Sequence, residues 1–110
     1  MLEGWRRAGG RVRTARTRAG YTAKQFAEVC GISERTLWAL EKGERDSFSD
    51  ETLNRIEAEL GWEPGSLRRL VEGGQIRYVD ELRRIIDLWP RLDTQTRTLL
   101  AELAERAARG

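Results

Sequence analysis

The residues best suited to specific polar recognition stand together at Ser33, Glu34 and Arg35. The paired donors of an arginine fork can bind the O6 and N7 atoms of guanine, and a glutamate can accept a hydrogen bond from the N4 amino group of cytosine. Glu34 could instead offset a helix dipole or hold Arg35 in place. The cluster therefore indicates contacts to base edges, provided that these side chains begin a helix.

Other kinds of chemistry find little support in the composition. The chain has no histidine, which removes the commonest general base near neutral pH and the usual zinc ligand sets. Its single cysteine, Cys30, has no partner for an internal disulfide and no evident activating neighbour. We interpret Cys30 as a small core residue rather than a redox sensor, and we expect no enzyme activity, metal or cofactor.

Positive charge is concentrated near the amino terminus. Residues 1–24 contain seven basic side chains against Glu3, and with a net charge of +2 overall the remaining residues carry −4. A basic segment of this kind suits a polyanion-binding face, although a solvated arginine-rich helix is the alternative. The seven are Arg6, Arg7, Arg11, Arg13, Arg16, Arg18 and Lys24.

Length and hydropathy predict a soluble protein with one domain and a short appendage. The chain has 110 residues, of which 39% are hydrophobic, enough for one modest core. No run of about 20 apolar residues could cross a bilayer. The segment from Met1 to Arg7 lacks the apolar stretch of a secretory signal, so we expect a cytoplasmic location and no membrane partner.

Capping residues and glycines divide the first 73 residues into five predicted helices. The first runs from Gly10 to Ala19 and stops at Gly20. The second begins with a capping box, in which Thr22 and Gln25 exchange hydrogen bonds, and ends at Gly31. Ser33 and Ser49 cap the third and fourth, which stop at Gly43 and Gly61, and Pro64 leads into a short fifth.

The second and third predicted helices satisfy the restrictions of a helix-turn-helix. Two short helices that cross steeply need a small residue at their closest approach and a permissive residue in the turn, which Ala27 and Gly31 provide. Their inner surface must be apolar. The residues that supply it are Phe26, Cys30, Ile32, Leu37 and Leu40.

Two further amphipathic helices are predicted after the Gly73-Gly74 linker. Ile76, Val79, Leu82, Ile86 and Trp89 form one stripe at helical spacing, which Pro90 interrupts. Asp93 then caps a last helix. The predicted fold is therefore all-α, with a helix-turn-helix domain over residues 1–73 and a carboxyl-terminal hairpin over residues 75–110.

The stretch YTAKQFAEVCGISERTLWALEKG, from Tyr21 to Gly43, resembles the Cro/repressor-type (XRE) helix-turn-helix family. The resemblance extends from about Arg11 to Val71. It implies a domain of five helices, a third helix that lies in the DNA major groove, and binding to double-stranded DNA as a homodimer. It also implies an internal ion pair between Arg16 and Glu41.

The resemblance assigns roles to individual residues around the third helix. It implies base contacts from Ser33, Glu34, Arg35, Trp38 and Ala39. It implies contacts to the DNA backbone from Thr22, Lys24, Thr36, Lys42 and Arg45.

Two residues depart from the family pattern. The family commonly has a phosphate-binding glutamine where this chain has Ala23, so that contact must come from Lys24 or the region of Thr22. Trp38 is large for its position, and it could pack on sugars and thymine methyl groups, in the core, or on a neighbouring helix.

The apolar surface of the carboxyl-terminal hairpin is larger than two helices can bury between themselves. We predict that it mediates dimerisation, and the alternative is a hairpin that only completes the core of the monomer. The predicted interface residues are Val79, Leu82, Ile86, Trp89, Leu99, Leu100 and Leu103.

These patterns together favour a sequence-specific transcriptional regulator, and a repressor in particular, with phage or prophage immunity as one setting. An antitoxin that covers a toxin with its acidic half and a protein-interaction adaptor are the alternatives. Arginine outnumbers lysine by 18 to 2, which resembles proteins of GC-rich genomes such as those of actinobacteria and their phages.

Overall fold

The computed structural model describes residues 2–109, and the chain divides into two compact units, Met1–Val79 and Asp80–Gly110. The first unit contains α1 (Leu2–Arg18), α2 (Ala23–Cys30), α3 (Glu34–Lys42), α4 (Asp50–Leu60) and α5 (Ser66–Val71). The second contains α6 (Asp80–Leu88), a 3-10 helix (Trp89–Arg91) and α7 (Thr94–Arg109). The all-α prediction is confirmed, since the described residues form no strand.

Side-chain caps and left-handed glycines set the ends of α2, α3 and α4. Thr22 and Gln25 form the predicted capping box, and the Ser33 and Ser49 hydroxyls accept hydrogen bonds from backbone amides in the first turns of α3 and α4. Each of the three helices stops at a glycine with positive φ, which a side chain would strain. The caps and glycines therefore fix both ends of these three short helices.

The core of the first unit draws on all five helices. Its side chains have almost no contact with water, so each large apolar member stabilises the unit by about 1.5–3 kcal/mol. The largest fully buried apolar residues are Val12 of α1, Phe26 of α2, Leu37 and Leu40 of α3, Ile56 of α4 and Leu67 of α5.

The first helix is longer than the sequence predicted, because it begins at Leu2 and not at Gly10. Gly4 and Gly9 lie inside it at close approaches to neighbouring backbone. A methyl group on Gly9 would collide with the carbonyl oxygen of Leu40, and one on Gly4 would collide with that of Val71. These glycines therefore let α1 pack directly on α3 and on the end of α5.

Residues 74–79 lie outside any helix and belong to the first unit, whereas the sequence predicted the start of a helix there. Tyr78 forms an isolated antiparallel bridge with Trp62, and the Val79 amide donates to the carbonyl of Gly61 at 2.9 Å. Ile76 and Tyr78 pack against the core. The second unit therefore begins at Asp80, and Val79 belongs to the first.

A buried acid completes the amino end of α5. Glu57 of α4 is 1% exposed, and its carboxylate accepts hydrogen bonds from the backbone amides of Gly65 (3.2 Å) and Leu67 (2.8 Å). Gly65, the residue before α5, has no side chain with which to cap the helix. A side chain from another helix thus satisfies amide groups that a local cap would otherwise bind.

No helix between residues 2 and 109 has both the length and the apolar character required to span a membrane.

Candidate nucleic-acid interface

The turn between α2 and α3 fixes the direction in which α3 leaves the core. Gly31 has φ 70°, and its amide closes α2 by donating to the carbonyl of Glu28 at 3.1 Å. Arg55 of α4 donates from Nη1 to the Gly31 carbonyl at 2.8 Å. The sequence did not point to Arg55, whose only local signal is an i,i+4 pair with Glu51.

An ion pair and two apolar side chains hold α3 against the rest of the unit. Leu37 and Leu40 are fully buried. The Arg16 guanidinium donates to the Glu41 carboxylate at 2.7 and 2.9 Å and to the Tyr21 carbonyl at 2.9 Å. The hydrogen bond with Glu41 raises the pKa of Arg16 above its usual value. The inner face of α3 is therefore fixed.

The amino end of α3 presents two charged side chains to solvent. Glu34 and Arg35 are exposed, and within residues 2–109 neither makes a side-chain hydrogen bond or ion pair. Ser33 is also exposed, but its hydroxyl accepts from the Thr36 amide at 3.0 Å and donates to the Thr36 hydroxyl at 2.8 Å. Glu34 and Arg35 thus remain available to a ligand, while Ser33 is occupied as a cap.

Trp38 lies on the same outer face and is 48% exposed, so it is not a core residue of its own unit. The Lys42 ammonium group stands 4.8 Å from the centre of its ring. Ala39 is different: it is 8% exposed and belongs to the core cluster. The side chain of Ala39 is therefore directed towards the core, and it has little surface to offer to a base.

The residues predicted to contact the DNA backbone are mostly at the surface. Thr22, Lys24, Lys42 and Arg45 are exposed, and Thr36 is half-buried. The Thr22 hydroxyl accepts from the Gln25 amide at 3.1 Å. The guanidinium of Arg45 lies 4.6 Å from the ring centre of Phe48. Lys42 and Arg45 therefore each lie beside an aromatic ring, of Trp38 and Phe48 respectively.

One residue of the basic amino-terminal segment, Arg13, was not assigned a place beside α3 from the sequence. Arg13 of α1 lines a surface depression together with Ala23, Trp38 and Lys42. Arg13 precedes Arg16 by three residues, so the two side chains are neighbours on the surface of α1. That spacing is the sequence signal that could have placed Arg13 near α3. The depression is therefore lined by three cations, Arg13, Arg16 and Lys42, and by one acid, Glu41.

The second unit has an exposed apolar surface of its own. None of its described residues is buried, and Leu82 alone of the predicted interface residues in this unit is half-buried. The others are Ile86 (43% exposed), Trp89 (39%), Leu99 (56%), Leu100 (37%) and Leu103 (62%).

Charge in the second unit is balanced, with six acidic and six basic residues between positions 80 and 110. The net charge of −4 that follows the basic amino-terminal segment therefore lies within residues 25–79, not in the hairpin.

Asp93 caps α7 by accepting from the Thr96 amide at 2.7 Å. Hydrogen bonds with the backbone and the side chain of Thr96 hold the pKa of Asp93 below its ordinary value.

The fold and the exposed amino end of α3 define an all-α protein with a helix-turn-helix. In agreement, residues 7–57 match the family model described as a helix-turn-helix domain. That match covers α2, the turn and α3 with parts of α1 and α4, and it supports a DNA-binding family for this segment. No match was found among curated proteins or among solved structures.

Proposed function

We propose that this protein is a sequence-specific transcriptional regulator, and more narrowly a repressor of the XRE type, that reads duplex DNA as a homodimer. The observation that carries the proposal is the state of α3. Its inner face is fixed by the core and by the Arg16–Glu41 pair, while Glu34 and Arg35 project from its amino end without partners among the described residues. A helix held in this way can enter the major groove with its first residues leading.

Arg35 is the main specificity residue in this proposal. Its guanidinium pairs with the O6 and N7 atoms of a guanine, a contact that discriminates against the wrong base by about 1–3 kcal/mol. Glu34 accepts from a neighbouring cytosine amino group. Lys24, Lys42 and Arg45 neutralise phosphates and supply affinity that depends on salt but little on sequence.

Selection of bound sites from random duplex DNA tests the base contact. On the selected site, Arg35→Ala is expected to weaken binding tenfold or more and to relax the choice of base at one position in each half-site. The matched control is Arg84→Ala, which removes the same charge from an exposed position in α6. Equal effects of the two variants, or no selected site at all, would contradict major-groove reading by α3.

The homodimer is proposed from the second unit. It exposes several apolar side chains, Leu99 and Leu103 most of all, and its equal numbers of acidic and basic residues create no net repulsion between two copies. A two-fold pair of heads would read half-sites about 34 Å apart. A toxin or other partner could cover the same side chains, and the mass of the purified protein separates these cases.

Leu103→Arg tests the dimer directly, because Leu103 is 62% exposed and lies on the apolar side of α7. The variant is expected to be monomeric by light scattering and to bind a two-half-site duplex much more weakly. Thr98→Arg introduces the same charge on the polar side of α7 and should remain dimeric. A monomeric parent protein would refute the homodimer.

Repression is tested by placing the selected site across a reporter promoter. Expression should fall when the protein is present and recover with Arg35→Ala. A rise in expression would identify an activator instead.

A further inference from the structure

The largest apolar side chain on the outer face of α3 is that of Trp38, and the described core makes no use of it. Besides Trp38, the large hydrophobic side chains of the first unit that are clearly exposed are Leu2 and Val29, on other helices. Trp38 follows Glu34 and Arg35 by four and three residues, so the three share one side of the helix. It lines one depression with Glu34 and Arg35 and a second with Arg13 and Ala23.

The ring of Trp38 has a cation beside it on the outer face of α3. Lys42 is one turn further along α3, and its ammonium group stands 4.8 Å from the ring centre, in the range of a cation–π contact. The Trp38 ring therefore forms a wall shared by the two depressions, with a cation on one of its faces. Such a side chain offers apolar surface and a single hydrogen-bond donor.

The ligand must offer a matching apolar feature. The edges of base pairs in the major groove are polar except for the C5 methyl group of thymine. Stacking on the ring would require an unpaired base, which an intact duplex does not present. Among the base edges the thymine methyl is therefore the apolar complement to Trp38, whereas contact with a sugar would carry no information about sequence.

We infer that Trp38 is a specificity residue that recognises the C5 methyl group of a thymine one or two base pairs from the pair read by Arg35. The inference rests on the proposed function. Three residues of α-helix advance by about 4.5 Å, and successive base pairs are separated by about 3.4 Å. The thymine thus lies one or two base pairs from the guanine that Arg35 contacts.

Deoxyuridine provides the test, because it removes the methyl group and leaves base pairing intact. With the full-length protein and the selected site, replacing one particular thymine in a half-site should weaken binding about fourfold, the effect of one buried methyl group. The other thymines should be insensitive. Trp38→Ala should bind the thymine and deoxyuridine duplexes equally, whereas Trp38→Phe should retain part of the difference.

Two control variants keep this inference separate from the proposed function. Val29→Ala removes apolar surface from an exposed residue of α2 and should retain the full thymine preference. Arg35→Ala should lose the guanine preference and keep the thymine preference. Circular dichroism confirms that each variant is folded.

Three results would overturn the inference. If Trp38→Ala kept the preference for thymine, or if no thymine in the site were sensitive, Trp38 would not recognise the methyl group, although DNA reading by Arg35 would stand. If Trp38→Ala converted a dimer into a monomer, Trp38 would belong to a protein interface. Absence of any selected duplex would remove the proposed function itself.

Discussion

The Arg16 guanidinium and the Glu41 carboxylate form two parallel hydrogen bonds, Nε to Oε2 at 2.7 Å and Nη2 to Oε1 at 2.9 Å. The pair joins α1 to α3, and its side chains are 10% and 7% exposed. A paired fork fixes orientation as well as distance. It therefore sets the angle at which α3 presents Glu34 and Arg35.

Loss of one partner should be costly. Glu41→Ala leaves a mostly buried guanidinium without its carboxylate, so we expect the free energy of unfolding to fall by about 3 kcal/mol. Urea denaturation measures this change. The control is Glu51→Ala, which removes an exposed partner of Arg55 and should cost below about 1 kcal/mol. Equal losses in the two variants would show that the buried pair stabilises the protein no more than the exposed pair does.

Two adjacent glycines of α1 should respond to alanine with opposite signs. A methyl group on Gly9 meets the backbone of Leu40 and Glu41, so Gly9→Ala should destabilise the protein by about 1–3 kcal/mol. A methyl group on Gly10 meets nothing within 4 Å. Gly10→Ala should therefore stabilise the helix by about 0.5–1 kcal/mol. Thermal unfolding of both variants provides the comparison, and a stabilising Gly9→Ala would refute close packing of α1 on α3.

The thiol of Cys30 should be unreactive in the folded protein. It is 5% exposed, and burial raises its pKa to about 11. At pH 8 about one thiol in a thousand is then a thiolate, the form that reacts. Mass spectrometry should show slow alkylation by iodoacetamide that accelerates steeply with pH, and fast alkylation in denaturant. Equal rates in folded and unfolded protein would contradict a core position.

The Asp93 cap makes the start of α7 sensitive to acid. Because folding lowers the pKa of Asp93, the ionised cap stabilises the helix above the unfolded pKa, and this contribution disappears as the pH falls through the folded pKa. The amide resonance of Thr96 should titrate with a midpoint below 3.8, the ordinary value. Asp93→Asn keeps an acceptor and should abolish that titration. A midpoint above 3.8 would show that the cap does not form.

The helix-turn-helix was predictable because its signals are local. Thr22 and Ser33 cap the helices that follow them, Gly31 and Gly43 end them, and each signal acts within about four residues of the chain. The apolar spacing around the turn then places Leu37 and Leu40 inward. The outer position of Glu34 and Arg35 follows from the same periodicity.

The misplaced elements depend on contacts between distant residues. Glycines at positions 4 and 9 reduce helix propensity, and only the close approach of α3 and α5 shows why α1 includes them. Ile76 fits a helical stripe with Leu82 as well as it fits the core, and the pairing of Tyr78 with Trp62 decides between them. Glu57 gives no local sign that its carboxylate binds the start of α5.

The four tryptophans of the chain differ in their access to water. Trp5 and Trp62 are 5% and 4% exposed, whereas Trp38 is 48% and Trp89 is 39% exposed. Intrinsic fluorescence should therefore contain two fractions, of which acrylamide quenches only the one from Trp38 and Trp89. In a Trp89→Phe background the quenchable light comes from α3 alone, and in a Trp38→Phe background it comes from the second unit. Binding of a partner at α3 can therefore be followed through the fluorescence of Trp38, and binding at the second unit through that of Trp89, without an added dye.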